Sequence, residues 1–211
     1  DFTGTAGAAR GSVPHGLMLH ADGHFYGVTQ GGGSGASGTV FQMTPAGVLT
    51  TLADLTGTTG AKPGSEPLGP LAVSGSLLYG VTKFGGTAGL GVLFEISTAG
   101  VWRTLGEFTG TAGIKPGANP AGAVLMHSDG ALYGTTEYGG TNDFGTLFKI
   151  TTAVTPVYTV LRHFADPTGS QPAGPLVVGA DGQLYGTTSS GGTGGWGTTY
   201  KITTTGTHTV L

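Results

Sequence analysis

The chain has 211 residues, of which 44 are glycine and 11 are proline, and only 9% are charged, against roughly 25% in an average soluble domain. Eight basic and eleven acidic side chains, scattered singly for a net charge of −3, exclude a nucleic-acid groove and a polybasic membrane patch, both of which need clustered Lys and Arg. The absence of cysteine excludes disulfides, thiolate metal sites and a Cys nucleophile, and no apolar run reaches the length of a membrane-spanning helix.

A quarter of the chain being Gly and Pro would indicate low complexity if it had no period. It has one. In chain order, Tyr-Gly pairs stand at Tyr26-Gly27, Tyr79-Gly80, Tyr133-Gly134 and Tyr185-Gly186, spaced by 53, 54 and 52 residues. Each is preceded by a proline (Pro14, Pro67, Pro120, Pro172). Each is followed by Gly-Gly (Gly32-Gly33, Gly85-Gly86, Gly139-Gly140, Gly191-Gly192), then by an aromatic (Phe41, Phe94, Phe148, Tyr200) and a closing Leu (Leu52, Leu105, Leu161, Leu211). Five markers in one register define four units, approximately 1–53, 54–106, 107–162 and 163–211, within a single domain spanning 1–211.

Inside each unit the apolar pattern has period two and is cut by turn residues, the signature of strands. The hairpins are marked by Asp22-Gly23, Ser74-Gly75, Asp129-Gly130 and Asp181-Gly182. The Asp-Gly dipeptide predicts a type I′ turn. In the last unit the predicted strands are 176–179, 184–188, 197–203 and 208–211. No segment carries a capped 3.6-residue apolar period. Four short antiparallel strands per unit, repeated in tandem, predict an all-β fold, a β-propeller with four blades per chain.

The runs Tyr133-Gly-Thr-Thr136, Gly139-Gly140 and Gly145-Thr-Leu-Phe-Lys-Ile-Thr151, with their copies Tyr185-Gly-Thr-Thr188 and Gly197-Thr-Thr-Tyr-Lys-Ile-Thr203, resemble the unit of the choice-of-anchor GloVer tandem-repeat family. The first two units depart slightly, with Tyr26-Gly-Val-Thr29 and Tyr79-Gly-Val-Thr82. The resemblance covers all four units. It implies an exported or surface-displayed bacterial protein, extracellular in location and often anchored at its C-terminus. No anchor is visible in these 211 residues, and the resemblance implies no activity and no catalytic residues.

Three residues after each internal closing Leu stands an apolar side chain, Leu55, Phe108 or Phe164, each after a polar one, Asp54, Glu107 or His163. The opening Asp1-Phe2 has the same form, so a single extra residue would join Leu211 to Asp1 in register. A self-closed ring of four blades, an eight-bladed ring of two chains and an open head-to-tail assembly remain alternatives.

Chemistry is expected in the loops between second and third strands. Phe84, Tyr138, Phe144 and Trp196 fall there; they serve either as platforms for sugar rings or as packing against the next blade. The residues four after each Tyr are Gln30, Lys83, Glu137 and Ser189, and Glu137 joins the candidate ligand-binding set. Glu137 and Asp143 share one loop and form the one candidate carboxylate pair for a glycosidase. Arg10, Lys62 and Lys115 recur in the loops leading into the blades, as a cationic face or as solubilising charges. His20 and His127 occupy matching places, but the six histidines have no ligand spacing. The expected protein is therefore a non-catalytic binding module for polysaccharide or a surface partner, without cofactor or metal. A self-assembling structural subunit and a carbohydrate-active enzyme are the alternatives.

Overall fold

The computed structural model describes residues 1–211, which form strands, turns and loops and no helix. The chain divides into two compact units, Asp1–Glu107 and Phe108–Leu211, each holding two antiparallel sheets in simple up-and-down order. In the first unit, blade 1 is β1 (Ser12–Leu19), β2 (Phe25–Gly31), β3 (Thr39–Met43) and β4 (Leu49–Asp54). Blade 2 is β5 (Ser65–Ser74), β6 (Leu77–Phe84), β7 (Val92–Ser97) and β8 (Trp102–Glu107). In the second unit, blade 3 is β9 (Ala118–Pro120), β10 (Leu125–Met126), β11 (Ala131–Tyr138), β12 (Thr146–Thr151) and β13 (Tyr158–His163). Blade 4 is β14 (Ser170–Val178), β15 (Leu184–Ser190), β16 (Thr198–Ile202) and β17 (His208–Val210).

The first strand of the last unit starts at Ser170 rather than at residue 176, because pairing with β15 runs straight through Pro172 and resumes beyond a register shift between Ala173 and Val177. Proline fits there because a first strand needs its N–H groups on one side only. Equivalent shifts interrupt β1 between His15 and Leu17 and β5 between Leu68 and Ala72. In blade 3 the interruption is long enough to split the strand into β9 and β10.

The Asp-Gly hairpins are not type I′. Gly23 N–H bonds His20 O at 3.0 Å and His20 N–H bonds His24 O at 2.9 Å. Gly23 has φ 84° whereas Asp22 is not left-handed. This is a type I turn closed by a glycine bulge, and the same bonds recur at His127–Ala131 and Gly179–Gln183. Asp was selected for its side chain. Asp22 Oδ1 accepts the His24 N–H at 2.9 Å and Oδ2 accepts the Tyr26 hydroxyl at 2.8 Å. Asp129–Tyr133 and Asp181–Tyr185 repeat the hydroxyl bond at 2.7 and 2.9 Å. Burial and the Asp22 bond push the Tyr26 pKa up to about 12.

The two strongest repeat markers are cross-strand partners. Gly27 faces Phe41, Gly80 faces Phe94, Gly134 faces Phe148 and Gly186 faces Tyr200. Each ring lies across its glycine: a Cβ at Gly27 would stand 2.6 Å from Phe41 Cζ, and one at Gly134 would stand 2.6 Å from Phe148 Cζ. All four rings are buried. A lead-in Phe covers three of them, with centroids 4.9 Å apart for Phe2–Phe41, 5.4 Å for Phe108–Phe148 and 5.2 Å for Phe164–Tyr200. The cores lie between consecutive blades of each unit. Tyr26, Val28 and Val40 of blade 1 meet Leu71, Leu78 and Phe94 of blade 2, and Tyr133 and Leu147 of blade 3 meet Leu176, Leu184 and Tyr200 of blade 4.

Gly134→Ala should therefore lower stability by about 1–3 kcal/mol, the usual cost of overpacking a filled core. Combining it with Phe148→Leu should cost less than the sum of the two single changes, as read by urea denaturation. A second expectation concerns His208, whose ring lies 5.2 Å from Tyr200 and 5.9 Å from Phe164. Its Nε2 is buried without a partner. Burial, then the charge of Arg162, lowers its pKa from 6.5. The folded state thus binds the proton more weakly than the unfolded state, and stability falls as pH drops below about 6.5. Thermal melts above and below that pH should show the loss, and His208→Phe should reduce it.

Candidate functional site

The residue before each repeated proline carries the most unusual backbone of the molecule. Val13, Glu66, Asn119 and Gln171 have φ of 54°, 52°, 50° and 55°. Residues preceding proline favour extended geometry, and a left-handed L-residue costs about 1–2 kcal/mol. The distortion turns the amide toward the preceding blade. Glu66 N–H bonds Ser37 O at 3.1 Å, and Gln171 N–H bonds Phe144 O at 2.8 Å. Sequence reasoning missed these four positions. Their signal was the repeated X-Pro with a polar X in three units of four.

Each strained residue lies beside the end of the second strand, because Ser12 pairs Gly31, Ser65 pairs Phe84, Ala118 pairs Tyr138 and Ser170 pairs Ser190. This puts the variable residues Gln30, Lys83, Glu137 and Ser189 at the equivalent edge of each blade. In the second unit Ser189 Oγ donates to Gln171 O at 3.1 Å and Ser190 Oγ to Gln171 Oε1 at 3.0 Å. In the first unit the edge opens into a polar groove of about 420 Å³ lined by Val13, Gln30, Ser37, Ser65 and Glu66.

None of the four candidate aromatics is buried against a neighbouring blade. Phe84 and Tyr138 are each 37% exposed, Phe144 is 39% exposed and Trp196 is 93% exposed. Phe84 and Tyr138 end β6 and β11 at equivalent places, each with a charged neighbour. Lys83 Nζ lies 5.6 Å from the Phe84 centroid. A hydrogen bond to Glu137, and the charge of that carboxylate, raise the Tyr138 pKa. Trp196 stands apart, on the rim of a groove in blade 4.

Glu137 and Asp143 share the β11–β12 loop but not a common task. Asp143, at φ 59°, turns back to accept the Gly139 N–H at 2.8 Å. Most other acids are engaged in the same way. Asp54 pairs with Arg10 at 2.8 Å and Glu95 with Arg103 at 2.7 Å, so Arg10 is a paired cation rather than a member of an open cationic face. Glu107 accepts the Thr87 N–H at 2.7 Å, and Asp166 accepts the Ser170 hydroxyl at 3.2 Å. With the three hairpin aspartates, eight of the eleven acidic side chains hold the scaffold. Burial opposes ionisation at Asp22 and Asp129, but hydrogen bonds hold both carboxyls well below the usual range. His24 N–H, Tyr26 and His20 supply them at Asp22, and Lys149 and Tyr133 are foremost at Asp129. His20 and His127 are blade connectors: Nε2 of His20 lies 2.8 Å from Gly75 O, and Nε2 of His127 lies 3.4 Å from Gly182 O. No group of three or more His, Cys, Asp or Glu is arranged to hold a metal ion.

Four tandem sheets of this strand order, three of them fed by a loop pinched between two glycines, define a β-propeller protein. The model of the Gloeobacter/Verrucomicrobia repeat matches residues 13–211, and the chain belongs to that family. Among solved structures it is similar to virginiamycin B lyase from Staphylococcus aureus (TM-score 0.59, 19% identity, 92% of this chain and 54% of that one). It is also similar to a puromycin-hydrolyzing peptidase from Mycobacterium tuberculosis (0.59, 15%, 96% and 29%) and to a gluconolactonase from Xanthomonas campestris (0.52, 16%, 89% and 57%). The chain thus spans little more than half the length of these proteins, or less, and the likeness shows the fold alone. No curated protein shows a significant match.

The strained edge makes its own prediction. Val13 is β-branched and 61% exposed at φ 54°, where Asn, the residue blade 3 uses, is better tolerated. Val13→Asn should raise stability by about 1 kcal/mol, measured as a higher urea midpoint at constant slope. A lower midpoint would mean that Val13 contributes packing that outweighs its strain.

Proposed function

We propose that the chain is a non-catalytic, extracellular binding module that holds a polysaccharide along the edge where the second strands end. The observation that carries this reading is the pairing, at one repeat position in each unit, of a part-exposed aromatic with a charged neighbour and a strained polar residue. In the first unit these are Phe84, Lys83 and Glu66; in the second they are Tyr138, Glu137 and Asn119. An aromatic face matches the apolar face of a pyranose and contributes roughly 0.5–1.5 kcal/mol beyond the area it buries. Carboxylate, ammonium and amide groups beside it suit sugar hydroxyls, and the groove at Gln30, Ser65 and Glu66 offers more of them. Phe144 is a further part-exposed aromatic of the second unit. What supports an extracellular setting is the resemblance to exported tandem-repeat proteins.

The lyase, peptidase and lactonase named above catalyse their own reactions. Support for a non-catalytic reading here comes from the acids: eight of eleven are held by the scaffold, which leaves Glu137 without a free carboxylate partner in its loop. Calorimetric titration against a panel of polysaccharides should find a ligand whose affinity drops about tenfold, or 1.4 kcal/mol, in Phe84→Ala or Tyr138→Ala, with melting temperatures unchanged. Binding indifferent to both changes would contradict the proposed site. Release of reducing ends that is lost in Glu137→Gln would make the protein an enzyme instead.

A further inference from the structure

We propose that each unit carries one amino-sugar subsite between its two blades, where a glutamate and a glutamine on neighbouring strands receive the ammonium and hydroxyl groups of a pyranose. Amino-sugar recognition rests on the polysaccharide reading above and narrows it to a cationic class. The scaffold holds eight of the eleven acidic side chains. Apart from Asp1, the remaining two are Glu66 and Glu137, and they stand at the same edge, one in each unit. In the first unit β2 packs against β5, and the groove of about 420 Å³ between them falls within the size range of small-molecule sites. Gln30 borders it from β2 and Glu66 from β5. In the second unit, where β11 packs against β14, the backbone of these segments is repeated. Gln171 N–H bonds Phe144 O at 2.8 Å, as Glu66 N–H bonds Ser37 O at 3.1 Å. Asp143 and Ala36 are left-handed at φ 59° and 55°, as are Gln171 and Glu66 at 55° and 52°. On this common backbone the side chains are exchanged: Glu137 stands where the first unit has Gln30, and Gln171 where it has Glu66. Each unit thus has one carboxylate and one carboxamide on the two strands that border the groove. The exchange keeps the pair and not the position.

The pair selects a ligand by charge. A carboxylate only accepts hydrogen bonds, whereas a carboxamide donates as well. Among the residues lining the first groove Glu66 alone is charged, and it is exposed. In the second unit Asp143 stands where the first has Ala36, and none of the equivalent positions carries Lys or Arg. Both grooves therefore repel an acidic sugar and attract an ammonium group. Ring hydroxyls are matched by Ser37 and Ser65 in the first groove and by the Gln171 amide in the second. Gln171 Oε1 already accepts the Ser190 hydroxyl at 3.0 Å, which leaves the amide N–H groups to donate. Each groove is also flanked by one aromatic. Phe84 is the cross-strand partner of the lining residue Ser65, and Phe144 stands where the first unit has Ser37. Such a ring covers the apolar face of a pyranose, and its own face attracts a cation.

The test is titration calorimetry of the 211-residue chain with a glucosamine trimer and with its N-acetylated counterpart, at a pH below the pKa of the sugar amine. The glucosamine trimer should bind at two sites per chain, about fivefold more tightly than the N-acetylated trimer, and more weakly as salt is added. Glu66→Gln and Glu137→Gln should each leave one site, and the double variant none that prefers the amine. Each change introduces the side chain that the other unit already carries at that place, Gln171 or Gln30, so melting temperatures should not move. Equal binding of both trimers, unaffected by either variant, would overturn the amino-sugar subsites and leave the polysaccharide reading standing. Trilysine bound as tightly as the glucosamine trimer would also overturn them, because the ammonium group would then be recognised without the sugar. Binding of no glycan at all would remove both.

Discussion

Everything in these blades depends on an aromatic ring that reaches across a glycine on the neighbouring strand. Because Gly27, Gly80, Gly134 and Gly186 have no Cβ, the rings of Phe41, Phe94, Phe148 and Tyr200 reach the backbone of the second strand and are sealed there. The close approach pins the register of the two central strands, since a slip of one residue would bring a side chain where only hydrogen fits. In blades 1, 3 and 4 a lead-in Phe packs on the ring and ties the blade to the chain that enters it.

Around that fixed centre the polar residues divide into two groups. Hairpin aspartates, the paired arginines, His20 and His127 are committed to holding tyrosine hydroxyls, strand ends and hairpin carbonyls. Gln30, Lys83, Glu137 and Ser189 differ in charge and size from blade to blade and sit at the edge where a left-handed residue bends the backbone. Strain of this kind persists where the surrounding structure imposes it. Here the amide bond to the preceding loop, seen at Glu66 and Gln171, is the compensation. A scaffold that keeps its centre constant and varies its rim is suited to presenting different contacts on one frame.

Much of this was legible in the sequence. The Tyr-Gly, Gly-Gly and aromatic markers gave the number of blades and the strands, because spacing alone carries a cross-strand partnership. Phe144 and Trp196 lie in the loops where the sequence puts them, whereas Phe84 and Tyr138 are the last residues of β6 and β11. The strained X-Pro positions were missed, since their signal lies only in the comparison of the four repeats, and each taken alone reads as an ordinary extended residue before proline. The hairpin type was misjudged because Asp-Gly satisfies two turn geometries, and here the Asp side chain is engaged by a tyrosine hydroxyl four residues on. The Glu137–Asp143 pair looked promising by separation along the chain, but a loop amide at Gly139 had the stronger claim on Asp143.

The most direct test of the ring-over-glycine account is native-state hydrogen exchange followed amide by amide. The slowest exchange is expected in the third strands, Thr39–Met43, Val92–Ser97, Thr146–Thr151 and Thr198–Ile202, with the loops before them opening first and the ends of the second strands in between. Third-strand amides that exchange as fast as those loops would show that the aromatic–glycine stack is not what holds the blades.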